Sequence, residues 1–151
     1  PGEILVNVGA ISGGGRTNVV PGRAEALIGF RFATADAEAE VLAELQGLVA
    51  VRPGAELVVE VLSARPAWQA QPGDEALLAQ VTAAAASVGL EVVGRPAAGA
   101  ADTNTTGSLG VPTLDGFGPR GAGAHAVNEH IVIDSLVDRV VLLAAAVHAL
   151  A

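Results

Sequence analysis

Hydrophobic and polar residues alternate along two stretches near the start of the chain, a pattern typical of β-strands that bury one face. Residues 3–9 and residues 23–33 both show it. The apolar residues that share a face are Ile4, Val6 and Val8 in the first stretch and Ala24, Ala26, Ile28, Phe30 and Phe32 in the second. Glycines at 13–15 lie between the stretches. We therefore predict two strands joined by a glycine-rich loop, with Arg31 on the polar face of the second strand.

After the second stretch the apolar residues recur every three or four positions, which indicates a helix. Thr34 or Asp36 can cap its N-terminus. The helix is predicted to run to about residue 50, where Arg52-Pro53-Gly54 stops it. Alternation returns at 56–62, which predicts a third strand. This part of the chain is therefore predicted to be a β-β-α-β unit.

The second half of the chain has the pattern of an α/β fold. A helix is predicted from about Asp74 to Val88, and Gly89 ends it. Short apolar runs at 90–93 and 111–114 are typical of buried strands in a mostly parallel sheet. Asp134 is predicted to cap a last helix. The residues predicted on the buried side of that helix are Leu136, Val140, Leu143 and Val147.

Composition narrows the possible functions. The chain has 151 residues, of which 51% are hydrophobic and 3% are aromatic, so aliphatic side chains must form the core. The net charge of −8 argues against a nucleic-acid partner, because there is no excess of basic residues to neutralise phosphates. The absence of cysteine excludes disulfides and thiolate metal ligands.

The sequence also bears on the membrane and on the ends of the chain. No segment has the pattern of a signal peptide or of a membrane span, so we expect no membrane partner. The compartment stays open, with the cytoplasm slightly favoured. The chain starts at Pro1 and contains no Met, from which we expect that this N-terminus is not the one its gene encodes.

Three polar residues are candidates for binding a substrate or a metal. His125 lies in a loop, where a neutral imidazole is a good zinc ligand, although a loop histidine can equally bond to the backbone. Arg31 offers a planar guanidinium suited to a carboxylate, or else it forms a cross-strand ion pair with Glu25 or a neighbouring residue. The amide of Asn18 can bind substrate or simply shape a turn. The residues alone leave these alternatives open.

A fourth candidate is Asp102, which lies among small residues in the segment 99–107. This composition suits an active-site loop, or a tight turn before a helix. Ser108, His125 and Asp102 would provide the residue types of a serine hydrolase, but no nucleophile-elbow motif surrounds a serine. The sequence therefore disfavours that chemistry.

Four segments together resemble the zinc-dependent exopeptidase and deacylase family of glutamate carboxypeptidase, acetylornithine deacetylase and succinyl-diaminopimelate desuccinylase. The segments are residues 6–14, residues 17–21 followed by Arg31, residues 99–104, and residues 110–125. Their order and spacing cover nearly the whole chain, so the resemblance is specific. The glutamate-carboxypeptidase-like branch is the most similar.

The resemblance implies a division of the chain and a fold class. Residues 1–66 would be part of a lid or dimerisation domain, and residues 67–151 would be the C-terminal part of a catalytic domain. The fold class is then α/β, with an α+β lid portion and an α/β catalytic portion. In this arrangement an incomplete ferredoxin-like lid is joined to the C-terminal piece of a zinc-peptidase α/β sheet.

The resemblance also implies roles for individual residues. His125 matches the last zinc ligand of the family, in a complete enzyme that holds two zinc ions. Asn18 and Arg31 match residues that hold the carboxylate of the substrate, and the backbone of Gly121 and Gly123 would bind near it. The implied substrate is a small peptide or an N-acyl amino acid, and the implied assembly is a homodimer formed through the lid.

The chain lacks the sequence motifs that supply the catalytic chemistry of the family. The His-x-Asp motif and the Glu-Glu pair, which supply the other metal ligands and the general base in the family, do not occur here. The resemblance therefore implies a portion of a metal-dependent hydrolase, of the carboxypeptidase or N-acyl-amino-acid deacylase type. The complete enzyme would use zinc-activated water to cleave an amide bond next to a free carboxylate. This chain would contain no catalytic residue of its own and would be inactive alone.

Two alternatives follow for the chain as it stands. It is either a portion of that hydrolase or a non-catalytic dimerising interaction module derived from the family. The first strand of the family lid, which would lie between the strands at 23–33 and 56–62, has no counterpart here, so the facing edges of those two strands would be unpaired. In the dimerising module, exposed edges at 3–9 and 56–62 would provide the interface. We therefore expect a longer native product, or pairing of this chain with another copy.

Overall fold

The computed structural model describes residues 4–97 and 99–151, which divide into two compact units. The first unit holds the described residues up to 69 together with 99–104, and the second unit holds the remaining described residues. Strands and helices occur in both units, so the mixed α/β composition predicted from the sequence is confirmed. None of the helices in the described residues is long and apolar enough to cross a membrane.

An antiparallel hairpin opens the first unit. Strand β1 spans Ile4–Gly13 and strand β2 spans Ala24–Phe32. A bulge interrupts the ladder between Val8 and Ala10. The structure confirms both predicted strands, and β1 continues into the glycine segment that was predicted as loop.

Helix α1 spans Ala35–Gln46 and begins where Thr34 caps it. The Thr34 hydroxyl accepts a hydrogen bond from the Ala37 N–H at 3.1 Å, as expected for an N-cap. The helix ends at Gly47, whose N–H donates to a carbonyl oxygen one turn back at 3.0 Å. The prediction that the helix continues to residue 50 is wrong, because the glycine favours a helix end over a helix interior.

Residues 56–62 do not form the predicted strand in the part of the chain that the structure describes. All of them are exposed, Val59 by 39% and Val58 by 75%. A strand needs a neighbouring backbone to satisfy its N–H and C=O groups, and no described segment pairs with this one. The prediction is therefore wrong for this chain, since alternation without a partner strand does not make a sheet.

The core of the second unit lies between two helices. Helix α2 spans Pro72–Ser87, and the last helix of the chain spans Ser135–Leu150. The buried core residues are Val81, Ala85, Leu142 and Ala146, and the partly buried residues packed against them are Leu77, Leu90, Val92, Leu114 and Phe117. The structure confirms both predicted helices, and Gly89 follows the first of them as predicted.

The remaining elements of the second half are short. They are helix α3 (Thr103–Ser108), strand β3 (Gly121–Ala122) and strand β4 (His130–Ile131), so the helix at Ser135–Leu150 is α4. Strands β3 and β4 pair antiparallel. The apolar runs at 90–93 and 111–114 are not strands in the described part of the chain, although each contributes a side chain to the core. The predicted parallel sheet is therefore wrong for this chain, because neither run has a strand beside it.

Helix α4 buries a different side from the one predicted. Its buried residues are Ser135, Leu142 and Ala146. The predicted residues are instead exposed, Leu136 by 41%, Val140 by 67%, Leu143 by 43% and Val147 by 66%. The helix carries apolar residues on both sides, so the pattern alone could not select between them and the packing against α2 does. The prediction of the buried stripe is wrong.

Candidate functional site

Arg31 lies on β2 directly opposite Leu5 of β1, and its side chain is exposed. The alternative from the sequence was an ion pair of Arg31 with Glu25 or with a neighbouring residue. Glu25 forms its ion pair with Arg23, two residues before it on the chain. The carboxylate-binding role of Arg31 stays a prediction.

Asn18 lies in the loop between β1 and β2, where every residue is exposed. The turn at this point is closed by the backbone, since the Val19 N–H donates to the Arg16 carbonyl oxygen at 3.3 Å. Within the described residues, the Asn18 side chain makes no hydrogen bond. Its amide therefore does not shape the turn through a side-chain hydrogen bond and can reach a ligand.

His125 lies in the loop that connects β3 and β4 in the second unit. The loop folds through two backbone hydrogen bonds, from the Ala126 N–H to the Gly123 carbonyl oxygen at 2.8 Å and from the Glu129 N–H to the Ala126 carbonyl oxygen at 3.0 Å. His125 has a φ of 66°, the left-handed conformation that few non-glycine residues adopt. Its ring is exposed and makes no hydrogen bond to the described residues. The loop thus presents the imidazole to solvent at the expense of local backbone strain.

Gly121 in β3 and Gly123 in the loop after it sit where a side chain would not fit. A Cβ at Gly121 would collide with the carbonyl oxygen of His130 on the paired strand. Gly123 has a φ of 74°, and a Cβ there would lie 3.1 Å from the Asn128 carbonyl oxygen. Asn128 is held in turn by the His130 ring, whose Nδ1–H donates to the Asn128 carbonyl oxygen at 2.9 Å. These contacts explain why glycine occupies both positions, and they leave the substrate-binding role of the glycines as a prediction.

Comparison with known proteins places the chain in a family. Residues 6–149 match the Peptidase family M20/M25/M40. The chain belongs to this family. It is 34% identical over 127 residues to the succinyl-diaminopimelate desuccinylase of Stutzerimonas stutzeri, and 34% identical over 126 residues to that of Bordetella pertussis.

These relatives are longer than the part of them that is matched. Each alignment covers 83% of this chain and 32% of the relative, so the chain spans about a third of the length of the curated relatives it matches. The family membership confirms the resemblance found in the sequence. Relatives named as enzymes also favour the hydrolase interpretation over a non-catalytic module derived from the M20/M25/M40 family.

Whether this chain could hold zinc depends on which of its metal-ligating side chains lie close together. Among residues 4–97 and 99–151, no group of three or more His, Cys, Asp or Glu side chains lies together in a way that could hold a metal ion. His125 is therefore not accompanied by two further ligands from the described residues. The described residues of this M20/M25/M40 chain therefore do not form a complete zinc site by themselves.

Asp102 and Ser108 are both engaged in other contacts. Asp102 forms an exposed ion pair with Arg65, with 3.2 Å between Oδ1 and Nη2. The Ser108 hydroxyl donates to the Thr105 carbonyl oxygen at 3.1 Å. Neither contact involves a histidine, so the geometry does not support a serine hydrolase.

Asn104 is a structural residue that the sequence analysis missed. Its Oδ1 accepts from the Ala101 N–H at 2.9 Å, and its Nδ2 donates to the Pro66 carbonyl oxygen at 3.0 Å. The side chain thus ties the segment that contains Asp102 to the segment that contains Arg65. Sequence alone carried no signal for the contact with Pro66, because the two residues are 38 positions apart.

Proposed function

We propose that this chain is the C-terminal portion of a metal-dependent hydrolase that cleaves an amide bond next to a free carboxylate. The observation that carries the proposal is the family match over residues 6–149. The relatives named succinyl-diaminopimelate desuccinylase point to an N-acyl amino acid as the substrate class, ahead of a peptide cleaved by a carboxypeptidase. Because the chain spans about a third of those relatives, the activity belongs to the complete protein.

We also propose how the chain is divided in that protein. Residues 1–66 would be part of a ferredoxin-like lid domain, through which the complete protein forms a homodimer. Residues 67–151 would be the C-terminal part of the catalytic domain. The resemblance of the four sequence segments to the family supports this division.

Asn18 and Arg31 are the proposed ligands of the substrate carboxylate. An exposed guanidinium can bind a carboxylate through two parallel hydrogen bonds, and the exposed Asn18 amide adds a neutral donor. Gly121 and Gly123 would contribute backbone N–H donors, which a side chain at either position would displace. The role of this chain is thus to bind and orient the substrate.

His125 is the proposed zinc ligand of this chain. Its exposed ring makes no hydrogen bond to the described residues, so either nitrogen is open to a metal. When bound in the complete enzyme, zinc held in part by His125 would supply an activated water for amide hydrolysis. The other ligands and the general base would come from polypeptide outside this chain.

The carboxylate-binding proposal is tested with the complete product of the gene, assayed on an N-succinyl amino acid. Arg31→Ala should raise KM by about tenfold or more, since it removes a charge-assisted bidentate contact worth roughly 1.4 kcal/mol or more. The matched control is Arg23→Ala, which removes an exposed arginine just before the same strand. Equal KM values for the two variants would contradict the role of Arg31, and no hydrolysis of acyl amino acids or peptides by the unmodified product would contradict the proposed function.

A further inference from the structure

The loop before β3 holds a carboxyl group in contact with a backbone nitrogen. The Gly116 N–H donates to Oδ1 of Asp115, the residue before it, at 2.7 Å. Both residues are exposed. Asp115 forms no ion pair with the residues that the structure describes. The carboxyl group is therefore open to water on one side and lies against the nitrogen of the next residue on the other.

Gly116 leaves this nitrogen accessible. Its φ of 88° lies in the left-handed region that favours glycine, and a Cβ added there would meet no atom within 4 Å. Within the described part of the chain, neither Asp115 nor Gly116 makes a backbone–backbone hydrogen bond, so the local backbone is free to rotate. This is the one Asp-Gly pair among the 151 residues, and the sequence contains no Asn-Gly pair.

We propose that Asp115 is a covalent modification site, at which the folded chain converts aspartate to isoaspartate through a cyclic succinimide. The Gly116 nitrogen attacks Cγ of the protonated Asp115 carboxyl group, and the proton of the nitrogen leaves with the carboxyl hydroxyl as one water. A water then opens the ring at the former backbone carbonyl, which leaves the main chain running through Cβ and Cγ. The contact between nitrogen and carboxyl group favours the first step, because the reacting groups start close together.

The modified link would lie between two side chains that pack on the core of the second unit. Leu114 comes directly before Asp115, Phe117 comes directly after Gly116, and both contact that core. Isomerisation adds one atom to the main chain between them. Because protein interiors are close-packed, a change in the spacing of two packed side chains lowers stability. We therefore expect the isomerised chain to unfold at a lower urea concentration than the unmodified chain.

The test incubates the folded 151-residue chain at physiological temperature and digests samples with a protease that cleaves before aspartate but not before isoaspartate. Cleavage between Leu114 and Asp115 should be lost with time while the intact mass returns to its starting value. Cleavage before Asp102, an exposed aspartate followed by threonine, should persist. A peptide of residues 111–118 gives the rate without the fold, and the rate in the chain should lie within about tenfold of it, as for a site that reacts without global unfolding.

Asp115→Glu is the matched variant, because it keeps the carboxyl group but needs a larger ring to react. Its urea midpoint should stay constant during an incubation that lowers the midpoint of the unmodified chain. Persistent cleavage before Asp115 in the chain, with loss of that cleavage in the peptide, would overturn the proposal, since the fold would then protect the site. Equal loss of cleavage at Asp102 and Asp115, or an equal fall of both midpoints, would also overturn it. No substrate takes part, so any of these results leaves the proposed hydrolase activity untouched.

Discussion

At the scale of single residues, Asp74 ties the start of α2 to a distant segment through one buried carboxylate. Its Oδ1 accepts from the Thr113 N–H at 2.7 Å, and its Oδ2 accepts from the Gln71 N–H at 2.9 Å. Asp74 is 4% exposed, and its bond to Thr113 is buried while its bond to Gln71 is partly buried. The Thr113 hydroxyl also lies 3.1 Å from the Thr106 hydroxyl, which extends the network to α3. The Asp74 carboxylate thus connects the start of α2 with Thr113 and, through Thr113, with α3.

Replacing Asp74 with Ala should lower the free energy of unfolding by about 2–4 kcal/mol, because the buried Thr113 N–H and the partly buried Gln71 N–H lose their carboxylate acceptor. Glu75→Ala is the control, since Glu75 is the exposed neighbour in the same helical turn. We expect that control to cost less than about 0.5 kcal/mol. Urea unfolding followed by circular dichroism measures both, and similar losses for the two variants would show that the Asp74 network contributes little.

At the scale of elements, some segments have a pairing or packing partner among the described residues, and others do not. The hairpin of β1 and β2 pairs within itself, and α2 and α4 pack on each other. Residues 56–62 and 90–93 have strand-like sequences, yet no described segment pairs with them. An element forms here where its partner lies in the same chain, because backbone hydrogen bonds and apolar burial both need a second surface.

The two sides of α4 provide a direct test of which one is buried. Leu142 is 2% exposed, so Leu142→Ala should cost about 2–4 kcal/mol through lost packing and the cavity left behind. Val140 is 67% exposed, and Val140→Ala should change the free energy of unfolding by less than about 0.5 kcal/mol. Thermal and urea unfolding of the isolated chain measure both. A larger loss at Val140 than at Leu142 would mean that the stripe predicted from the sequence is buried after all.

Across the described residues as a whole, many large apolar side chains are exposed to water. Ile11 is 77% exposed, Val20 is 66% exposed and Leu62 is 70% exposed, and these residues come from three different segments. Singly exposed apolar residues are ordinary, but runs of them mark surfaces that bind something. The exposed segments agree with a chain that spans about a third of the relatives it matches.

We expect the isolated chain to hydrolyse neither N-succinyl amino acids nor small peptides, and to bind no zinc tightly. The physical reason is that its described residues bring together no group of three metal-ligating side chains, and one histidine makes a weak site. The complete product of the gene should bind about two zinc ions per chain and show the activity. Zinc analysis after dialysis, with parallel activity assays, measures both. Hydrolysis by the purified 151-residue chain would contradict the division of the active site proposed here.

Features that depend on neighbouring residues along the chain follow from the sequence alone. The Thr34 cap, the hairpin strands, the extent of α2 and the stop at Gly89 all follow from local hydrogen bonding, backbone freedom and side-chain periodicity. Family membership could also be predicted from the sequence, since the motifs around Asn18, Asp102 and His125 are short contiguous segments. For the candidate site, the sequence identified the residue types but not their surroundings.

Which surfaces are covered depends instead on the three-dimensional packing. The structure showed that α4 buries Leu142 in place of Val140, that Glu25 pairs with Arg23, and that Asp74 reaches Thr113. It also showed that the strand-like patterns at 56–62 and 90–93 have no paired strand among residues 4–97 and 99–151. Periodicity states which residues can share a buried face, but burial requires a second surface, and the presence of that surface is a property of the whole polypeptide.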